Sequence, residues 1–544
     1  MHHAPQGNDL DAIVIGSGFG GAAAASVLVR AGQRVLMLER GDWIERGPEN
    51  WQPEAAMDLG AHYCRDTPYD VHEGAGRTSV GAFHCVGGPS VFYGGVSLRF
   101  RERDFLDAAE IIGDSGAHWP FGYDELEPWY SRAEDLLSVA GDTGRDPSEP
   151  RRSSPYPQRP AKLAHTSRSI ERAAAGLGLH PFRLPLAINY AAADDRSRCI
   201  ACMTCDGFAC AIEAKNDLAT CVLPALIRAG LDLRTNTVAV RLVRAFEAMD
   251  SETGNGERDG RVTGVQCVDA KTGRPSTYRA RRVIVAAGAL ATPHLLLSSR
   301  LSDASPGAKT VGRYLMRHCN AMVFGFFPIP PNPAREFHKQ LGITDFYFGH
   351  AGIRTPPGKL GSIQQVGTPP ASLVRAHAPR PLGALLATVV HHTTGLLAIA
   401  EDQPRAENRV ELGTGSPDRF GRVPLVIHHA YTARDLQARG ALVRQAKRIL
   451  RRAGALFFHT HSVRTFSHAL GTVRMGSDPQ RSALDAECRF RGVDNLYVTD
   501  ASVFPTSAGV NPSLTITANA MRVAEHVVAL DRAGSLARRT SALR

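Results

Sequence analysis

Nowhere in its 544 residues does the chain hold an uninterrupted apolar run long enough to cross a bilayer. Its most apolar late stretch, Pro381 to Ala400, is broken by His391, His392, Thr393 and Thr394 and reads as a pair of buried strands. No transmembrane segment is expected. The opening MHHAPQGNDL lacks the hydrophobic centre of a secretory signal, so the expected location is cytoplasmic. Internal repeats are absent. So is any block of five or six like charges, although 63 Lys and Arg against 53 Asp and Glu leave a net charge of +10. That excess reads as a solvated basic surface from scattered arginines, with no nucleic-acid partner. The ten cysteines read as reduced thiols rather than a disulfide framework in a chain of this length and compartment.

What is present is a globular balance, 43% hydrophobic and 21% charged, with room for a large core and two or more subdomains. Ile13, Val14 and Ile15 form a strand-like run ending in glycine. An alanine-rich helical stretch follows, then a second run, Val35 to Leu38, ending at Glu39. Val283 to Val285 and Leu496 to Thr499 are two more strands of this buried type. The four are expected to form one sheet, assembled from distant segments of an α/β chain. Alternating runs around a polar turn at Ser251 to Gly260 suggest a β-meander. Asp142 to Pro160 reads as loop punctuation, and Ala321 to Arg451 as an antiparallel layer covering a substrate. Residues 533–544 are expected to be a disordered tail.

Gly16, Gly18 and Gly21 give GxGxxG directly after the first strand. Such glycines allow a tight turn, close approach of backbone to a pyrophosphate, and close packing of helix on strand. Ala25, Leu28, Gly32 and Val35 continue the pattern, and Glu39 falls 23 positions after Gly16. A carboxylate there can accept hydrogen bonds from adenosine ribose hydroxyls, which argues for a free 2′-hydroxyl and against NADP. Taken alone, the fingerprint does not separate FAD from NAD.

The stretch from Ser467 to Val528 separates them. Its pieces SHALGTVRMGSDP, FRGVDNLYVTDASVFP and GVNPSLTITANAMRVAEHVV closely resemble the final segment of the glucose-methanol-choline (GMC) oxidoreductases. Earlier pieces resemble the same family: GGPSVFYGG from Gly87, WPFGYDELEPWYSRAEDLL from Trp119, AAGALATPHLLLSS from Ala286 and VGRYLMRH from Val311. The resemblance implies FAD, an alcohol donor, and two domains. One would be a Rossmann-like FAD-binding domain from segments 8–115, 215–320 and 462–532. The other would be an α+β substrate domain with an antiparallel sheet, from 116–214 and 321–461. It also implies cofactor contacts at Gly87, Gly88 and Ser90, and at Asp500 and Ala501. Where some members bond flavin to a histidine after the GG-x-S turn, this chain has Phe92, and His84 is out of register, so non-covalent FAD is expected.

Oxidation of an alcohol carbon requires that the hydroxyl proton leave as hydride departs, because an alkoxide expels hydride far more readily than a neutral alcohol. A neutral imidazole suits that task. His468, opening HALGT, stands where the family's catalytic histidine stands. Asn511 aligns with a second position that is histidine in some members and asparagine in others, as in bacterial cholesterol oxidase. Asn511 followed by Pro512 also reads as a helix N-cap with proline in the first turn, and a helix starting there would aim its positive end at the flavin's pyrimidine edge.

Cys199, Cys202, Cys205 and Cys210 read CxxCxxCxxxxC, with Cys221 further on. That spacing can hold zinc or an iron–sulfur cluster, but structural thiols before the family's AK pair, Ala214 and Lys215, are favoured. His459 and His461 read as one face of a strand. The expected function is FAD-dependent oxidation of a CH–OH group to an aldehyde or ketone. The alternatives are a flavin-containing lyase of the same fold and a flavin/Fe–S electron-transfer protein. The identity of the alcohol, and whether oxygen, a quinone or a protein accepts the electrons, stay open.

Overall fold

The computed structural model describes residues 10–542 except 53–62, 74–75, 107, 192–194, 245–259, 354–355, 357, 378 and 380–381. Ala12–Ile15, Val35–Leu38, Arg282–Val285 and Leu496–Val498 form one parallel sheet. Its order, Leu496–Val498, Arg282–Val285, Ala12–Ile15, Val35–Leu38, Asp232–Arg234, adds a fifth strand that the sequence reading lacked. Three residues of mixed polarity give too short a pattern to recognise. The inner strands are buried along their length, as a sheet covered on both faces requires.

The helix Phe19–Arg30 lies on this sheet. Ala22, Ala23, Ala24 and Ala25 are fully buried, and their small side chains let the C-terminal helix Ser513–Ala542 pack against it. That helix continues through most of the stretch expected to be a disordered tail, as far as Ala542. Residues 543–544 lie outside the described set.

A second sheet has six strands, all antiparallel: Phe457–Ser462, Cys319–Phe326, Thr393–Ala400, Gly361–Val366, Leu341–Ile343 and Phe182–Arg183. The helix Ala433–Arg452 covers one face, packing Ala438, Leu442 and Ile449 on Val323, Ile363 and Leu396. The stretch from Ala321 to Arg451 supplies much of this antiparallel layer, but its strands Arg409–Leu412 and Leu425–His428 join another sheet, with Tyr63–Glu73 and Gly76–Phe83. His459 and His461 stand exposed on the first strand.

Pro381 to Ala400 is a correction. Instead of two strands it forms the helix Leu382–Val389, a short turn Val390–His392, and the strand Thr393–Ala400. LGALLAT is rich in leucine and alanine, good helix formers, and the histidine pair marks the junction rather than a hairpin. The meander is present as Thr237–Arg244, Val262–Asp269 and Pro275–Tyr278. Most of its polar turn, 251–259, falls outside the described residues.

Candidate active site

At the carboxyl ends of the parallel strands the chain direction reverses about the central strand Ala12–Ile15, the place where such sheets take ligands. Gly16 turns there with φ +100°, and a Cβ on it would stand 2.4 Å from the carbonyl oxygen of Ala286. Gly21 is equally constrained, its Cβ position falling 1.9 Å from the Gly16 carbonyl. Gly18 differs, because a side chain there would meet no atom within 4 Å. It precedes a helix start that has no capping side chain and no acid in its first turn, so the N–H groups there remain available to an anion. Gly88, with φ +55°, faces Gly18 across this space, its Cβ position 3.3 Å from the Gly18 Cα. Gly87, at φ +85°, sets the turn.

Glu39 is buried at the end of its strand. Its carboxylate accepts from Ser17 N at 3.0 Å, Ser17 Oγ at 2.5 Å and Gly41 N at 2.8 Å. Burial raises its pKa against the lowering effect of these donors. Ser17 Oγ also accepts from Gly87 N at 3.0 Å, joining the GxG turn to the GGPS turn. Sequence reasoning missed Ser17 because the fingerprint leaves that position free. Ser90 lies on the same turn. Fully buried, it donates to Gly87 O at 2.7 Å and accepts from Leu218 N at 3.1 Å, holding the turn from inside.

Asp500 accepts from Gly288 N at 2.9 Å, Thr292 Oγ1 at 2.5 Å and Ser502 N at 2.8 Å. It clamps the AAGA turn beside Gly16, and burial raises its pKa. The carbonyl of Ala501 accepts from Gly471 N at 3.1 Å, which ties this strand end to the segment carrying His468. Phe92 is buried and stacks on Phe83 with ring centroids 4.7 Å apart. His84 lies against Gly41, near Arg40 and Arg422, and burial lowers its pKa to about 3.

His468 is half-buried. Its Nδ1 lies 2.9 Å from Nδ1 of His318, the rings crossing at 87°. Nε2 of His318 lies 2.9 Å from the carbonyl oxygen of Ser507. A carbonyl only accepts, so the neutral His318 carries its proton on Nε2 and offers a bare Nδ1. His468 must therefore donate from Nδ1, which leaves its Nε2 unprotonated. Burial first, then the neighbouring His318 and Lys339, lower the His468 pKa well below its ordinary value.

His318 was within a quoted motif yet unassigned. It is held at φ +61°, left-handed backbone that a non-glycine residue adopts at a cost. Tyr431 donates its hydroxyl to the His318 carbonyl at 2.8 Å, and the preceding Arg317 N donates to Asp402 at 2.8 Å. Asp402, fully buried, also accepts from His429 Nε2 at 2.8 Å and from Ser507 Oγ, which donates to its carbonyl at 3.2 Å.

From Ser507 the chain runs four residues to Asn511. Gly509 N donates to Tyr347 Oη at 2.8 Å, and its carbonyl accepts from Ser362 Oγ at 2.8 Å. Asn511 Oδ1 accepts from Gln364 Nε2 at 2.7 Å. Ser362 and Gln364 share one face of their strand, opposite the helix-covered face, and so grip this run at alternate residues. The N-cap reading of Asn511 shifts by one residue: the Pro512 carbonyl takes the first helical bond, from Ile516 N at 2.9 Å. Asn511 stands outside the helix with its amide turned to Gln364.

The cysteine segment lies beside the GGPSVFYGG loop. Lys215, buried, donates to the carbonyls of Tyr93 at 3.0 Å, Cys205 at 2.9 Å and Phe208 at 2.7 Å. Burial pushes the thiols of Cys199 and Cys205 up to about 11 and about 12, which disfavours thiolate. Among the described residues no group of three or more His, Cys, Asp or Glu is placed to hold a metal ion, and Cys199, Cys202, Cys205 and Cys210 are free thiols.

Two family models, both described as GMC oxidoreductase, match residues 10–320 and 404–520. The chain is 32% identical to a 6'''-hydroxyparomomycin C oxidase of Streptomyces lividus, over 96% of this chain and 92% of that protein. It is 31% identical to a paromamine 6'-oxidase of Streptomyces fradiae, over 95% and 91%. A 2-methyl-1,2-propanediol dehydrogenase of Mycolicibacterium austroafricanum is 26% identical over 95% of each. Among solved structures, a pyridoxine 4-oxidase of Mesorbium loti superposes with TM-score 0.62 at 20% identity, over 95% of this chain and 99% of that one. Both ends of the chain, the nucleotide cradle and the His468 segment, fall inside the matched regions, and the chain belongs to the GMC oxidoreductase family of FAD flavoproteins.

Proposed function

We propose that this protein oxidises the CH–OH group of a small-molecule alcohol, a sugar, sterol or related compound, to an aldehyde or ketone. The relatives named above act, by their names, on hydroxyl-bearing substrates. Bound FAD supplies the hydride acceptor at N5. Gly16, Gly18 and Gly21, with Gly87 and Gly88 across from them, would hold its pyrophosphate, Glu39 its adenosine ribose, and Asp500 and Ala501 would close the strand end. The helix beginning after Pro512 has no acid in its first turn, which suits a ring that gains negative charge.

The observation that carries the reading is the fixed tautomer of His468. Its Nε2 is the base that takes the hydroxyl proton, while Nδ1–H stays bonded to His318. Asn511, its oxygen engaged by Gln364, presents Nδ2–H to the substrate oxygen and orients it. Anaerobic mixing with a panel of alcohols tests the reaction class. Loss of flavin absorbance with matching carbonyl formation is expected, whereas carbonyl release with the flavin still oxidised would point to the lyase alternative.

A further inference from the structure

Several of the most solvent-exposed large apolar side chains gather at one end of the antiparallel sheet. Phe457, 71% exposed, pairs with Phe326, and Thr393 pairs with the same residue from the other side. Leu456 N donates to Phe326 O at 2.9 Å, and Phe327 N to His392 O at 2.9 Å. Ile329, 76% exposed, follows two residues on. Into this end runs the helix Leu382–Val389, and its amphipathicity is inverted. Gly383 and Ala387 are buried, while Leu382, Leu385 and Val389, at i, i+3 and i+7, form an exposed stripe. Single exposed leucines are ordinary, but a helix that hides its small residues and shows its large ones is not.

The segments that build this end are rich in arginine and poor in acids, Glu336 in the loop after Ile329 and Glu171 on the helix His165–Ala175 being the nearby exceptions. Residues 346–400 contain no Asp or Glu, and neither do residues 436–477. The helix Ala433–Arg452 exposes Arg444, Arg448, Arg451 and Arg452, and only four residues separate Arg452 from Leu456. Arg375 is exposed on the helix Ala371–His377, which packs beside Leu382–Val389. Arg451 lies over the Phe458 ring at 5.0 Å, next to Phe457, and Arg375 stands on a helix packed against the one that carries the apolar stripe.

We propose that this end docks on an anionic lipid surface, the apolar tips entering the boundary between headgroups and acyl chains and the arginines meeting lipid phosphates. A second copy of the chain is a poorer occupant, since a two-fold interface would set this arginine-rich surface against itself. The tips also project from three separate segments instead of forming a flat face. The docked end is close to the site: Gln364, which holds Asn511, is two residues from the end of its strand on this side.

The test is sedimentation of the flavin-loaded protein with phosphatidylcholine vesicles, with and without phosphatidylglycerol, at low and high salt. Binding that requires phosphatidylglycerol and weakens with salt is expected. Leu385→Glu combined with Phe457→Glu should weaken it by roughly tenfold or more, and Arg448→Glu with Arg451→Glu should remove the preference for phosphatidylglycerol. Alcohol-driven flavin reduction in both double variants should match wild type, showing intact folds. No sedimentation at low salt, or binding indifferent to both pairs, would overturn the proposal. So would light scattering that finds a dimer split by the Leu385 and Phe457 substitutions, which would assign the patch to a second copy, or capture by an acidic protein in place of vesicles.

Discussion

At the scale of single residues, the histidine pair decides what can be tested. In the proposed mechanism His318 is a positioning residue. It would act by accepting the hydrogen bond from His468 Nδ1–H and so keeping Nε2 bare. His318→Phe should lower kcat by roughly 10²- to 10⁴-fold, the usual range for a disturbed acid–base group, with KM little changed. Equal losses in kcat and thermal stability would instead mark a purely structural residue. The pH profile carries a second expectation. His468 works only when neutral, and its pKa is depressed from the ordinary 6.5, by burial first and then by His318 and Lys339. The acid limb of kcat/KM should therefore fall below pH 6.5. A limb at or above 6.5 would contradict the geometry.

At the scale of elements, legibility followed locality. The strand, glycine turn, helix and second strand from Ala12 to Glu39 occupy one short window, and each step leaves its own mark in the residues. His318 and Ser507 are 189 positions apart, and Gln364 and Asn511 are 147 apart. Nothing in the local pattern of either partner announces the other. The family-like stretch from Trp119 also acquires a physical role here. Its helix, Tyr123–Leu136, supplies Glu127 and Glu134 to the buried Arg99 at 3.0 and 2.8 Å. Arg99→Ala would leave Glu127 without its cation and Glu134 with Arg152 alone, and a loss of about 3–5 kcal/mol is expected in urea denaturation. Gly16→Ala acts on the other element, driving a Cβ into the Ala286 carbonyl at a left-handed φ. That variant should purify with little flavin, and a full complement would show that the turn tolerates a side chain.

At the scale of the whole molecule, the chain leaves the parallel sheet past Asp500 and runs from Ser507 to Asn511 against the antiparallel one, where Ser362 and Gln364 grip it. The sequence motifs located four strands of the first sheet and singled out His468 and Asn511, the residues proposed above to act on the alcohol. The second sheet stayed mostly hidden because it joins strands as short as Phe182–Arg183 to others nearly 300 residues away. Charge showed the same limit: no run of like residues marked the exposed arginines of the helix Ala433–Arg452. For the cofactor as a whole, Phe92 offers no atom for a bond to flavin, so acid precipitation should release all flavin to the supernatant. Flavin kept in the pellet would require another attachment residue.

The central claim is that His468 is the base for alcohol oxidation. It is tested most directly by anaerobic stopped-flow reduction of the His468→Ala flavoprotein beside wild type, with an alcohol that bleaches the wild-type flavin. The account predicts a variant with its full flavin spectrum that the alcohol no longer reduces. Reduction at the wild-type rate would contradict it.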